Sequence, residues 1–154
     1  MASPRVGVSM LYCLGEPFYK MSKHLTETQA EYVEIVDDGF HALNKQRVAA
    51  LNDISVSKGL QYSVHAPFAD VNISSSSKPL LRAMMKRLEQ SIIHAQALDS
   101  YLWVFHPGMK TGISFFYPNM DWLQNLKSVQ TLAKASKEYG VPVAIENVPE
   151  PSLA

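Results

Sequence analysis

The sequence predicts an α/β fold built from about five parallel strands and four crossover helices. Short runs rich in branched and aromatic residues alternate four times with longer amphipathic stretches, and a fifth short apolar run follows. A helix is the usual connection between parallel strands, so this alternation favours a parallel sheet. Residues 1–154 are 47% hydrophobic and 18% charged, so they are long and apolar enough to bury one core as a single domain.

Each element is predicted from its apolar spacing and from the residues at its ends. Apolar runs bounded by turn residues predict strands at residues 6–10, 32–36, 60–65, 101–106 and 141–146. Apolar residues at helical spacing predict helices at residues 17–31, 44–58, 79–98 and 121–139. Gly59 and Gly140 are expected to end the second and fourth helices. Asp121 is expected to cap the fourth helix, and a serine of residues 74–77 the third.

The composition argues against several classes of function. Lys plus Arg and Asp plus Glu each number 14, and this zero net charge gives no electrostatic reason to expect nucleic acid or an anionic membrane as partner. Cys13 is the one cysteine, which excludes an internal disulfide and a thiolate metal cluster and is typical of a reducing compartment. The sequence lacks a signal-like N-terminus and a membrane-spanning apolar run, so a soluble cytoplasmic protein is expected.

Two architectures fit this order of elements. A complete doubly wound sheet of five strands suits the chain length. An eight-stranded barrel needs about 250 residues, so this chain would then be its first part. The sequence has neither the glycine-rich phosphate loops nor the nucleophile elbow of many open α/β sheets. These missing motifs, together with the residues at the strand ends, favour the partial barrel.

Three predicted strands end in residues that commonly bind metals. His65 ends the third strand, His106 the fourth and Glu146 the fifth. The C-terminal ends of parallel strands share one edge, and neighbouring strands lie about 4.8 Å apart, so the three side chains can converge. Two imidazoles and a carboxylate suit zinc, manganese or a similar divalent ion, and the carboxylate is also a candidate acid–base group. Taken singly, each residue also fits a structural role.

Other polar residues near the strand ends are weaker candidates. Asp70 and Asn72 follow the third strand and Asn147 follows the fifth, so we predict that they contact substrate at the same edge. Turn formation is an equal alternative for Asp70 and Asn72. For Asn147 the alternative is to orient the neighbouring glutamate carboxylate. Asp37 and Asp38 end the second strand, and at least one of them is expected simply to solvate its loop.

Three segments resemble the xylose isomerase-like TIM barrel superfamily, which includes sugar-phosphate isomerases and epimerases and the endonuclease IV type of abasic-site nuclease. The segments are Tyr62-Ser-Val-His-Ala-Pro-Phe68, Val104-Phe-His-Pro-Gly108 and Ala144-Ile-Glu-Asn-Val-Pro149. The resemblance extends from Val6 to Pro149. It implies a (β/α)8 barrel with a divalent metal centre at its C-terminal mouth, the metal being zinc, manganese, cobalt or magnesium.

The resemblance also implies roles for individual residues. It places metal ligands at His65, His106 and Glu146. In the epimerase branch the glutamate both binds metal and moves a proton, whereas in the nuclease branch it bridges metal ions. The superfamily takes further ligands from strands six to eight, so we expect residues 1–154 to be the N-terminal part of a barrel truncated after strand five. Open barrel edges can pair with another chain, so we expect either a fragment or a homo-oligomer.

Three functions are compatible with these observations. The leading hypothesis is a metal-dependent isomerase or epimerase of a small sugar or sugar phosphate, in which Glu146 moves a proton at a carbon beside a carbonyl. The second is an abasic-site phosphodiesterase of the endonuclease IV type, against which the zero net charge argues. The third is a partial barrel that binds metal or sugar without turnover.

Overall fold

The computed structural model describes residues 6–148. Their five strands are β1 (Gly7–Ser9), β2 (Tyr32–Val36), β3 (Gln61–His65), β4 (Leu102–Phe105) and β5 (Val143–Ile145). Their four α-helices are α1 (Phe18–Glu27), α2 (Lys45–Lys58), α3 (Lys78–Ala97) and α4 (Met120–Glu138). Short 3-10 turns follow β1, β2 and β4, at Met10–Cys13, Gly39–His41 and Gly112–Phe115. Within residues 6–148, none of the helices has the length and apolar composition needed to cross a membrane.

The strand order decides between the two architectures. β1 to β5 lie side by side in chain order, each parallel to its neighbour. A doubly wound sheet reverses its strand order at a switch point, so that alternative is wrong. Sequential parallel strands with right-handed crossovers place their helices on one face, and consecutive helices pack together here, as in a barrel. The α/β partial barrel is confirmed.

The core lies between the sheet and the helices. Val64, Trp103 and Phe105 are buried on the helix-facing side. Ser63 and His65, the two neighbours of Val64 in β3, point to the barrel interior. The Trp103 indole donates a hydrogen bond to a serine hydroxyl of α3 at 3.1 Å, which satisfies its polar atom within the core. The sheet is therefore fixed on its helix side, and its opposite face carries polar groups.

The start of α4 differs from the sequence prediction. The helix begins at Met120 after Asn119, whose φ is 69°, so Asp121 does not cap it. Asp121 lies buried in the first turn, where its carboxylate accepts hydrogen bonds from the backbone N–H and the hydroxyl of Thr111. The carboxylate thus holds the loop after β4 against α4. At α3, Ser77 occupies the cap position without a side-chain cap hydrogen bond.

Cys13 provides a test of the packing near the mouth of the barrel. Its thiol is buried and donates a hydrogen bond to the Met10 carbonyl at 3.2 Å. Burial raises the pKa of the thiol, and Glu16 raises it further, so less thiolate is present at a given pH. We expect iodoacetamide at pH 8 to alkylate the native protein at least about tenfold more slowly than the urea-unfolded chain. Mass spectrometry of quenched samples measures both rates, and equal rates would contradict this packing.

Candidate metal centre

The candidate metal centre lies at the C-terminal edge of β3, β4 and β5. His65 is the last residue of β3, and His106 and Glu146 directly follow β4 and β5. The ladder continues past the strand ends, because the Ala66 N–H bonds to the Val104 carbonyl at 2.7 Å. The Glu146 N–H likewise bonds to the β4 strand at 3.0 Å. These backbone bonds fix the register that brings the three side chains to one place.

The donor atoms of the three residues face one another. His65 Nε2 lies 3.2 Å from His106 Nε2 and 3.3 Å from Glu146 Oε2. His106 Nε2 lies 3.7 Å from the same carboxylate oxygen. Ligand atoms bound 2.0–2.1 Å from a tetrahedral metal are about 3.3–3.4 Å apart, so the spacing fits a divalent ion. The structure thus brings together the three residues predicted as ligands, and metal binding by them stays a prediction.

A hydrogen bond of His65 sets its orientation. Its Nδ1 lies 2.8 Å from the Ala66 carbonyl oxygen, so the neutral ring donates there and keeps an Nε2 lone pair toward the cluster. The His65 and His106 rings stand nearly perpendicular, at 87°, with centroids 4.8 Å apart. The exposed fraction rises from 7% for the His65 side chain to 27% for His106 and 53% for Glu146. The carboxylate is therefore the group most open to a substrate.

The charge state of His106 also suits metal binding. Burial lowers the pKa of His106, and the neighbouring His65 lowers it further, whereas Glu146 acts in the opposite direction. The net shift favours the neutral imidazole, which is the form that binds metals.

The predicted substrate contacts differ in their surroundings. Asp70 is exposed with a φ of 57°, a conformation typical of a turn residue. The Asn72 side chain accepts hydrogen bonds from the Ser74 hydroxyl at 2.7 Å and the Met109 N–H at 2.9 Å, and it donates to the Met109 carbonyl. It therefore ties the loop after β3 to the loop after β4. Asn147 is exposed beside the glutamate of the cluster. Substrate contact by these residues stays a prediction.

The acidic pair after β2 corrects another expectation. Asp37 and Asp38 are each only 5% exposed, so neither simply solvates the loop. Asp37 accepts a hydrogen bond from the Leu43 N–H at 2.6 Å. Asp38 accepts from the N–H groups of Phe68 and Ala69, in the loop that follows His65. The buried loop amides need acceptors, and these carboxylates supply them.

Fold and site together define part of a β/α barrel with a candidate metal centre at its mouth. The sequence profile of the xylose isomerase-like TIM barrel family matches residues 23–154, and the chain belongs to this family. The family inferred from the three strand-end segments is therefore confirmed.

Relatives and solved structures extend the comparison. An uncharacterized protein of Methanocaldococcus jannaschii is 26% identical over 145 residues, which cover 94% of this chain and 50% of that protein. The crystal structure of a D-tagatose 3-epimerase-like protein matches with a TM-score of 0.88 and 25% identity, covering 96% of this chain and 54% of that one. A protein from Thermus thermophilus, soaked with zinc chloride, matches with a TM-score of 0.70 and 19% identity, covering 96% and 57%. This chain spans about half the length of the curated relatives it matches.

Proposed function

We propose that this chain carries part of the active site of a divalent-metal-dependent sugar isomerase or epimerase. The observation that carries the proposal is the convergence of His65, His106 and Glu146 within 4.8 Å at the barrel mouth. Active sites of β/α barrels are built at this face. The similarity to a D-tagatose 3-epimerase-like protein supports a small sugar as substrate. The zero net charge supports a neutral polyol over a nucleic acid.

The proposed mechanism gives different tasks to the three residues. The two imidazoles and the carboxylate would hold the metal, and a divalent ion bound there would supply Lewis-acid polarisation of a carbonyl or hydroxyl oxygen of the sugar. Glu146 takes a proton from the carbon next to the carbonyl, because its carboxylate is the most exposed of the three side chains. The resulting enediolate is reprotonated to give the isomer. We place the second acid–base group outside residues 1–154, and the support for this is that relatives are about twice as long as this chain.

Proton exchange tests the role of Glu146. The chain is incubated in D2O with Mn²⁺ or Co²⁺ and a ketose such as D-fructose or D-tagatose, and deuterium incorporation beside the carbonyl is followed by NMR. This half-reaction needs one base, so we expect metal-dependent exchange that Glu146→Gln slows at least about 100-fold, the typical contribution of a general base.

The control is Glu138→Gln, which changes an exposed carboxylate in the last turn of α4. Its exchange rate should equal that of the unchanged chain. Metal binding without exchange would instead favour the partial barrel that binds ligand without turnover. Exchange that persists in Glu146→Gln would refute the assigned role.

A second candidate function is a metal-dependent phosphodiesterase acting at abasic sites. The observation that favours it is the pairing of two imidazoles, 3.2 Å apart, in the candidate metal centre. Imidazole-rich sites suit zinc, which generates a hydroxide nucleophile near neutral pH. Incubation of an abasic oligonucleotide with the zinc-loaded chain tests it, and intact DNA would eliminate it.

The proposed extent of the protein has its own test. We propose that residues 1–154 are the N-terminal part of a longer barrel, which is supported by coverage of about half of each relative. The intact mass of the endogenous protein should then be near 30 kDa, about that of 250 residues or slightly more. A mass near 17.2 kDa would contradict the longer barrel. The isomerase would then need a second subunit to supply ligands, which light scattering would show as an oligomer, and a monomer would favour the partial barrel without turnover.

A further inference from the structure

Asp38 is a buried carboxylate with four hydrogen-bond donors around it. Oδ2 accepts from the backbone N–H of Phe68 at 2.9 Å and of Ala69 at 2.7 Å. Oδ1 accepts from the N–H of Gly39 at 2.8 Å and from the Arg87 guanidinium at 3.0 Å. A carboxylate with a side chain only 7% exposed is costly to bury unless its oxygens are bonded in this way.

These bonds lead directly to the candidate metal centre. Phe68 lies three residues after His65, and the Asp38 carboxylate holds its backbone across a separation of 30 residues. The Phe68 ring packs edge-on against the His65 imidazole, with centroids 5.3 Å apart, and against the His106 imidazole at 5.6 Å. One ring therefore touches both histidines, and one carboxylate fixes the backbone that carries that ring.

We propose that Asp38 is a positioning residue of the metal centre. This inference rests on the proposed metal site. It assigns to the loop after β2 a share in orienting the ligands at the C-terminal ends of β3 and β4. Asp38 holds the segment from Phe68 to Ala69, the Phe68 ring supports both imidazoles, and the two Nε2 atoms stay directed at one point. Groups that orient ligands in this manner commonly alter metal affinity by 10–100-fold when they are lost.

The neighbouring Asp37 provides a matched control. It is equally buried, at 5% exposure, and it also accepts a backbone hydrogen bond within the protein. Its partner is the N–H of Leu43, which leads into the loop before α2, and its other close group is His94 of α3 at 3.7 Å. Asp37→Asn and Asp38→Asn thus remove the same charge at adjacent positions, and the second alone acts on the Phe68 segment.

The experiment compares the two variants in the full chain. Imidazole ¹⁵N NMR of the metal-free proteins reports the tautomers and surroundings of His65 and His106, and titration with Co²⁺ reports metal affinity. We expect Asp38→Asn to shift both imidazole signals and to weaken Co²⁺ binding at least about tenfold. We expect Asp37→Asn to leave the signals in place and the affinity within about twofold.

Two outcomes would overturn the proposal. The first is an unchanged pair of imidazole signals in Asp38→Asn, and the second is an equal effect of both variants on signals and affinity. If the unchanged chain fails to bind Co²⁺, the proposed metal centre is wrong, and the metal-free imidazole signals still decide whether Asp38 orients the rings.

A second variant covers a failure of Asp38→Asn to fold. Phe68→Leu keeps the backbone N–H that bonds to Asp38 and removes the ring that contacts the histidines. It should shift the same two imidazole signals and weaken Co²⁺ binding in the same direction. If Phe68→Leu has the same imidazole signals and the same Co²⁺ affinity as the unchanged chain, the Phe68 ring does not support the two imidazoles, and the proposal is overturned.

Discussion

Replacing His65 with glutamine is expected to lower the affinity of the chain for Zn²⁺ by more than about 100-fold. Loss of a group that only orients a ligand commonly lowers metal affinity by about 10–100-fold, and loss of a ligand itself should cost more. His65 is the most buried of the three candidate ligands, and its Nε2 lies within 3.3 Å of both other donor atoms. Its removal leaves one imidazole and one carboxylate, which is fewer than the three protein ligands of typical catalytic zinc sites. Calorimetric titration against a competing chelator at pH 7.5 measures the change.

The control for this prediction is His94→Gln, which removes a partly buried imidazole of α3 that lies outside the candidate metal centre. Its Zn²⁺ affinity should stay within about twofold of the unchanged chain, since its imidazole supplies no ligand to the cluster. Similar losses in both variants would mean that Zn²⁺ binds histidines at random. A micromolar or weaker affinity for Zn²⁺ in the unchanged chain, which has both imidazoles of the cluster, would also count against the candidate metal centre.

The convergence of the three candidate ligands is predictable because it follows from topology. Once β3, β4 and β5 are parallel neighbours, residues at their C-terminal ends lie at one edge whatever the sequence of the helices. The positions of His65, His106 and Glu146 therefore follow from the alternation of strands and helices and from three short segments. Their actual spacing of 3.2–3.7 Å depends on side-chain packing and needed the structure.

The role of Asp38 could not be predicted, because its partners are distant in sequence. The Asp38 carboxylate bonds to amides 30 and 31 residues away and to a guanidinium 49 residues away. Local sequence indicates a turn after β2, and Asp in a turn is usually explained by local hydrogen bonding. Only the fold brings the loop after β3 within reach of this side chain.

Element ends differ from the sequence prediction for similar reasons. The apolar spacing predicts a first helix that reaches residue 31, yet α1 ends at Glu27. Thr28 is extended, and its hydroxyl accepts the N–H of Ala30 at 3.1 Å, a local turn that competes with helix. Asp121 fits the pattern of a helix cap, yet its carboxylate bonds to Thr111 instead, because the loop after β4 folds back over the helix. Local propensity indicates such ends, and tertiary contacts decide them.

Gly108→Ala is expected to destabilise the fold by about 2–3 kcal/mol, because it overpacks a tight contact. A Cβ at this position would lie 2.6 Å from Ser74 Cβ and 2.8 Å from the Ser74 nitrogen. Ser74 cannot yield easily, since it is fully buried and its hydroxyl has two acceptors within hydrogen-bond reach, the Asn72 amide oxygen and the Met109 carbonyl. Urea unfolding followed by circular dichroism measures the free energy of unfolding.

Gly112→Ala is the matched control, because a Cβ there meets no atom within 4 Å and the residue needs no positive φ. It should change the free energy of unfolding by less than about 0.5 kcal/mol, as surface substitutions usually do.

The contact at Gly108 also concerns the candidate metal centre, since it packs the loop after His106 against the loop that follows His65. Gly108→Ala should therefore weaken Zn²⁺ binding even at temperatures where the variant remains folded. Full stability in Gly108→Ala would mean that the two loops are free to separate, and the imidazoles would then lack the fixed spacing on which metal binding depends.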